Sequence, residues 1–183
     1  MNTSQISVRY AKALLGYAEQ MGREKEVYAD ALVAIKLIEG NKELLKTLQN
    51  PCLKLSDKES ALNSLLHGKI DEVLFGFIRF MVVKHREAYV KHSLVVFRKC
   101  YRDKNNIVEL LVETPTGISQ EQTDKLKALV ENKFNRVPEI EISIKPELIG
   151  GFILQIDDLF IDKSISGELK RFKKRLLPEQ KLL

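Results

Sequence analysis

The chain holds no tryptophan, two cysteines, three histidines, five prolines and nine glycines in 183 residues, with an aromatic share of 7%. Each scarcity removes a class of protein. Cys52 and Cys100 stand far apart, with no CxxC spacing and no set of histidine partners. Neither a disulfide framework nor a zinc site is expected, and a reducing compartment is the default. No uncharged apolar run approaches the roughly 20 residues of a spanning helix. The uncharged segment from Ala13 to Ala18 is too short for a signal-peptide core. Any membrane association is therefore expected to be peripheral or through a partner. Neither a GxGxxG fingerprint nor a GxxxxGK[ST] loop occurs, so no dinucleotide or phosphate cradle is expected.

What is present is apolar periodicity and an uneven charge. Residues 1–105 carry 18 basic and 12 acidic groups (+6), whereas residues 106–183 carry 12 and 13 (−1). The halves also differ in hydrophobic period. Residues 4–21 predict a first helix whose apolar arc includes Ile6, Tyr10, Ala13, Leu14, Tyr17 and Met21, with Val8, Ala11, Leu15 and Ala18 beside it. That arc is about twice as wide as the roughly 100° needed to pack one face of a surface helix. One side for a core and one for a partner is the functional reading; a central place in the bundle is the other.

Gly22 ends this helix, and Val27, Ala31, Ala34, Ile35 and Ile38 mark a second that stops at Gly40. Leu44, Leu45 and Leu48 make a short third, broken at Asn50-Pro51. Ser56 and Glu59 have the spacing of a capping box for a fourth helix through Leu62, Leu65 and Leu66. A fifth, Ile70 to Lys84, is apolar almost all round, which predicts burial on every side or a shared surface. The sixth shows Val90, Leu94, Phe97 and Tyr101 at helical spacing and runs to the polar cluster 102–106. Beyond it the period changes. A β-branched run at 107–112 is followed by Ser119 and Gln122 at box spacing, with Leu126, Leu129, Val130 and Phe134 predicted to face inward. After a turn expected at Pro138 come Ile140, Ile142 and Ile144, then the pair Gly150-Gly151 and a strand through Phe152, Leu154 and Ile156. Asp157-Asp158 reverses the chain, and Asp162 and Ser164 are candidate caps of a closing helix with Leu169, Phe172 and Leu176 on its apolar face. The tail from Pro178 to Leu183 is expected to fray. The fold class is α+β with two domains: an N-terminal six-helix bundle over 1–105 and a small mixed α/β domain over 106–183.

Catalytic chemistry finds no constellation. His85 and His92 lie seven apart without a third ligand, and His67 sits near a helix end. Asp157, Asp158 and Asp162 fit a turn and a cap better than a carboxylate cluster. The basic run Lys170-Arg171 and Lys173-Lys174-Arg175 lies near a helix C-terminus, where the macrodipole favours cations. No catalytic residue, cofactor or metal is expected.

Certain residues, in their order, carry a resemblance. They are Arg9-Tyr10-Ala11-Lys12-Ala13-Leu14, Asn50-Pro51 with Lys58, Phe77 to Arg86 with Phe97, and Pro146 with Leu148-Ile149-Gly150-Gly151. Ile161-Asp162, Ser164 and Gly167-Glu168-Leu169 complete the set. From about Arg9 to Leu176 the chain resembles the delta subunits of rotary proton-translocating ATP synthases, called oligomycin-sensitivity-conferring protein in mitochondria. It departs at Lys163, where the family usually has glycine, and at Glu113-Thr114-Pro115, where a small Ser-Ala type segment is usual. The resemblance implies a non-catalytic stator subunit, a monomer in isolation, at the cytoplasmic face of a bacterial membrane and bound to it only through the complex. The N-terminal domain would hold N-terminal helices of alpha subunits, and the C-terminal domain the b subunits of the peripheral stalk. The alpha-subunit groove would lie between the first and fifth helices, with Tyr10, Ala13, Leu14, Tyr17, Phe77, Phe80 and Val83 as its residues. Gly150, Gly151, Asp162 and Ser164 would be structural. The +6 half keeps open an alternative, a nucleic-acid-binding helical module.

Overall fold

The computed structural model describes residues 3–41, 47–48, 50, 53–157 and 159–176, with side chains from residue 5 onward. The chain divides into two units, Met1–Tyr101 and Arg102–Leu183. Leu44, Leu45, Pro51, Cys52, Asp158 and the tail from Pro178 lie outside the described residues; of the predicted third helix only Thr47 and Leu48 are described, and Leu48 is buried.

The first unit is built from α1 (Thr3–Gln20), α2 (Glu24–Gly40), α3 (Leu55–Leu66), α4 (Glu72–Val83) and α5 (Val90–Lys104), the last preceded by a 3₁₀ turn at Glu87–Tyr89. The fifth and sixth predicted helices are thus α4 and α5, and α5 takes up the polar cluster as far as Lys104. Gly22, at φ 65°, ends α1, where the Arg23 N–H donates to the Ala18 carbonyl at 2.9 Å. The Asp71 carboxylate caps α4 by accepting the Val73 N–H at 2.8 Å, an interaction worth about 1 kcal/mol. The capping box expected at Ser56 does not form. Lys54 holds the N-cap position of α3 without a side-chain bond, and the Glu59 carboxylate instead accepts the Arg79 Nε–H at 2.7 Å.

The core of this unit follows the helical period. Ser7, Ala11, Leu14 and Ala18 form the buried row of α1, and the small side chains of Ser7, Ala11 and Ala18 let neighbouring helices approach. Ala31, Ile35 and Ile38 of α2, Leu62 and Leu66 of α3, Leu74, Ile78 and Met81 of α4, and Leu94 and Phe97 of α5 fill the rest. Three charged groups are buried with them: Asp71, the cap of α4, which pairs with Arg23, and Arg98 and Lys58. The Arg98 guanidinium lies 4.3 Å from the Tyr28 ring centroid and donates to the Tyr28 carbonyl at 3.2 Å, while Tyr28 stacks on Tyr101. Lys58, in α3, donates to Glu87 in the 3₁₀ turn.

The second unit is a four-stranded sheet of β1 (Ile107–Thr114), β2 (Val137–Ile144), β3 (Ile153–Ile156) and β4 (Leu159–Asp162), with α6 (Gln120–Phe134) and α7 (Ile165–Leu176). The strand order is β2-β1-β3-β4; β1 and β2 are parallel and the other pairs antiparallel. Alternate residues of β1 (Val108, Leu110, Val112) are buried against Leu154 and Ile156 of β3 and Val130 of α6, with Leu126, Phe134, Ile140 and Ile161 packed around them. The capping box at the start of α6 is complete: the Gln122 N–H donates to Ser119 Oγ at 3.2 Å and the Ser119 N–H to Gln122 Oε1 at 2.9 Å. β1 ends at Thr114, immediately before Pro115.

Three expectations in this half are corrected. Leu129 does not face inward but is 66% exposed, because α6 turns Leu126, Val130 and Phe134 onto the sheet and leaves Leu129 on the flank. Pro138 lies inside β2, which is possible because β2 is an edge strand and proline's missing N–H need not enter the ladder. The turn before β2 is made by Asn135 in the left-handed region. The apolar face of α7 does not close on the sheet: Leu169, Phe172 and Leu176 are each more than half exposed.

Local chemistry explains how α7 is placed. Ser164 is its N-cap, with Oγ accepting the Gly167 N–H at 3.0 Å. Asp162 Oδ1 in turn accepts the Ser164 hydroxyl at 2.6 Å and N–H at 2.9 Å. A Cβ on Gly167 would overlap the Asp162 carboxylate. Gly151, at φ 74°, has no room for one either, since it would strike the Lys163 carbonyl oxygen. Lys163 itself does not have a positive φ, so the lysine at the family's glycine position fits without strain. Gly151→Ala is expected to destabilise the second unit by about 2–4 kcal/mol, from the left-handed conformation and the overlap together. Thermal unfolding of the full chain measures this, and a melting curve matching that of the unaltered chain would refute it.

Candidate functional site

α1 and α4 flank a groove in the first unit. It consists of two adjoining depressions. One, about 410 Å³, is lined by Ile6, Arg9, Tyr10, Ala13, Phe80 and Arg86. The other, about 430 Å³, is lined by Tyr10, Ala13, Tyr17, Glu72, Val73, Gly76, Phe77 and Phe80. Tyr10, Ala13 and Phe80 are common to both, so the depressions form one trough. From Ile6 to Tyr17 the trough follows about 16 Å of α1 at 1.5 Å per residue, the length of three turns of a partner helix. Its N-terminal α1 end lies by the C-terminal end of α4, so the two walls run in opposite directions.

The walls are aromatic and the floor is small. The Tyr10 and Phe77 rings meet edge to face with centroids 6.2 Å apart. Phe80 is 48% exposed, and the Lys84 ammonium lies 5.7 Å from its ring centroid. Gly76 keeps the space open, since a Cβ there would meet nothing within 4 Å. Of the residues expected here, Tyr10, Ala13, Tyr17, Phe77 and Phe80 line the trough. Leu14 does not. It is 0% exposed, because it shares the buried row with Ser7, Ala11 and Ala18 and points into the bundle. Val83 is exposed but lies outside both depressions. Ile6, Arg9, Glu72, Val73, Gly76 and Arg86 join the lining, although none was among the residues expected to form the groove. An unexplained glycine in the middle of a strongly apolar helix was the available signal for Gly76.

No histidine, cysteine or serine lines the trough. Among the described residues no three His, Cys, Asp or Glu side chains gather as a metal site. Of the carboxylates singled out in the sequence, Asp157 and Asp162 have structural partners. Asp157 pairs with Arg136 at 2.6 Å. The Ser164 hydroxyl and N–H, aided by Arg171 and Lys170, hold the Asp162 carboxyl below its ordinary value. Burial pushes the Glu87 carboxyl up, but the hydrogen bond and charge of Lys58, its own backbone N–H and His85 together hold it below the usual range.

The second unit has its own apolar surface. A cavity of about 680 Å³ lies between the end of β1, α6 and the segment Ile149–Phe152, lined in part by Ile118, Leu126, Leu129, Ile149 and Phe152. With Leu169, Phe172 and Leu176 of α7 also uncovered, this unit exposes more large apolar side chains than a chain working alone needs.

Known proteins supply the context for two apolar surfaces without catalytic groups. A family model described as ATP synthase delta (OSCP) subunit matches residues 6–176. The chain is 31% identical over 175 residues to ATP synthase subunit delta of Cytophaga hutchinsonii, covering 96% of both chains. It is 30% identical over 177 residues to ATP synthase subunit delta of Phocaeicola vulgatus, again covering 96% of each. A chain in the cryo-EM structure of the Toxoplasma gondii mitochondrial ATP synthase hexamer shares the fold, with TM-score 0.65, 20% identity and coverage of 93% of this chain and 97% of that one.

Proposed function

The chain belongs to the ATP synthase delta (OSCP) subunit family, the non-catalytic stator element that links the catalytic head to the peripheral stalk, and on that premise we propose where each contact is made. The trough between α1 and α4, within residues 1–105, receives an N-terminal helix of an alpha subunit. The exposed apolar surface of residues 106–183 receives the b subunits. Rotor torque would spin the head unless it is tied back to the membrane sector, so a stator needs two separate, slowly dissociating contacts. Two apolar surfaces, one in each unit, match that need.

The observation that carries the first contact is the trough itself, three helical turns long, with aromatic walls and an open glycine. A partner helix would lay i, i+3, i+4 and i+7 side chains between Tyr10, Tyr17, Phe77 and Phe80. No helix among the described residues is long and apolar enough to cross a membrane, which fits attachment to the membrane through the complex at its cytoplasmic face. Titrating a synthetic alpha-subunit N-terminal peptide into the full chain should give saturable binding. No binding at tens of micromolar, weaker than about −6 kcal/mol, would remove the proposal. Recovery of alpha, beta and b subunits together with the chain from washed membranes is the matching result in the complex.

A further inference from the structure

The trough is apolar along its length but charged at its ends. Arg9 and Arg86 line the end nearest the start of α1, and Glu72 lines the opposite end. Many charges on this chain are paired, including Arg79 with Glu59 and Lys91 with Glu39. The side chains of Arg9, Arg86 and Glu72 are different: among the described residues none has an ion-pair or hydrogen-bond partner. Lys84, held over Phe80, adds to the positive end, and no carboxylate lines that depression.

We propose that these charges fix the sense and register in which the trough holds its helix: Arg9 and Arg86 take a carboxylate side chain of the partner, and Glu72 takes a basic one. The inference rests on the trough being the alpha-subunit site. Aromatic walls alone would accept an amphipathic helix in either direction, or slid by one turn, at similar cost. Opposite charges about three turns apart make one arrangement favourable and the reversed one repulsive. The positive end is not suited to a phosphate backbone, because Ile6, Ala13 and Phe80 line the same depression and would remain uncovered.

Rim charges act chiefly on association rate and on salt dependence. The test is binding of the synthetic alpha-subunit N-terminal peptide to the full chain and to Arg9→Glu/Arg86→Glu, at low salt and at about 0.5 M salt, where the Debye length falls to a few ångströms. The double variant should bind roughly tenfold more weakly at low salt, since two exposed attractive pairs become repulsive. The gap should close at high salt. A peptide with its acidic side chains changed to lysine should bind the double variant better than the unaltered chain. Phe80→Asp serves as the control for the trough. If that variant loses binding while Arg9→Glu/Arg86→Glu binds as the unaltered chain does at both salts, the charge assignment is wrong and the trough stands. If the unaltered chain binds no peptide, both are wrong. Melting curves of the double variant should match those of the unaltered chain, because neither arginine is buried or paired.

Discussion

Phe80→Asp should release the catalytic head while leaving the stalk contact and the fold in place. Phe80 is nearly half exposed and belongs to both depressions of the trough, so it offers a large apolar side chain to a partner at little cost to the bundle. Aromatic side chains at the centre of an interface are the usual hot spots, and losing one costs about 2–4 kcal/mol, or roughly 30- to 1,000-fold in affinity. An aspartate placed there adds the desolvation of a charge. Titration with the alpha-subunit peptide reads the loss directly, and retention of b subunits with loss of alpha subunits in co-purification reads it in the complex. Gly76→Phe approaches the same site from the other side. It removes nothing and meets no atom within 4 Å at the Cβ, and it replaces a helix-interior glycine that costs about 1 kcal/mol relative to alanine. It should therefore melt no lower than the unaltered chain and yet block the trough. Equal loss of both contacts in either variant would indicate unfolding instead.

Much of the architecture could be read from periodicity, because the buried rows repeat at the spacing their elements require. Val90, Leu94, Phe97 and Tyr101 are buried as predicted, and the β-branched run at 107–112 lies in β1, where the structure buries alternate residues. The complete box at Ser119 forms because Ser119 stands at the N-cap itself, with Gln122 at the third helical position. At Ser56 the same pattern fails because the helix already begins at Leu55, with Lys54 as its N-cap, and Glu59 pairs instead with Arg79, twenty residues further on, a partner of which local spacing carries no record. Leu14 shows the limit for the site. The width of the apolar arc on α1 was readable, but the border between core and trough depends on which side the neighbouring helices occupy. The same holds for α7, where an amphipathic pattern describes a face without saying what covers it. The two arginines and the glutamate of the trough were invisible for another reason: an isolated charge in a sequence looks alike whether or not it has a partner.

The largest effect on stability is expected at Lys58. Its ammonium is almost wholly buried and donates to Glu87, whose second oxygen is buried without a hydrogen-bond partner among the described residues. Lys58→Met keeps the stem of the side chain but strands a carboxylate in the interior, which costs about 3–5 kcal/mol. Its dependence on pH distinguishes this cause from simple mispacking. In the unaltered chain Glu87 is held below its ordinary value, so the pair contributes its stability above the unfolded glutamate value of about 4.3 and loses it as pH falls through the lower folded value. Without Lys58 burial is opposed only by the backbone N–H and His85, so the folded value rises and the stability that the lowered value supplied at neutral pH shrinks. The deficit of Lys58→Met should then be greatest at neutral pH and shrink towards pH 4 as Glu87 takes up a proton. Lys58→Met/Glu87→Leu should recover most of the loss at pH 7, since replacing both partners of a buried pair by apolar groups is often close to neutral. Denaturant titrations of the three proteins at pH 7 and pH 4 measure these differences, and a deficit independent of pH would refute this account of the pair. The consequence reaches the trough as well, because Glu87 directly follows Arg86, one of its lining residues. If the pair holds that corner in place, Lys58→Met should weaken peptide binding even under conditions where the chain remains folded, and the double variant should restore it only so far as the turn at Glu87–Tyr89 keeps its position.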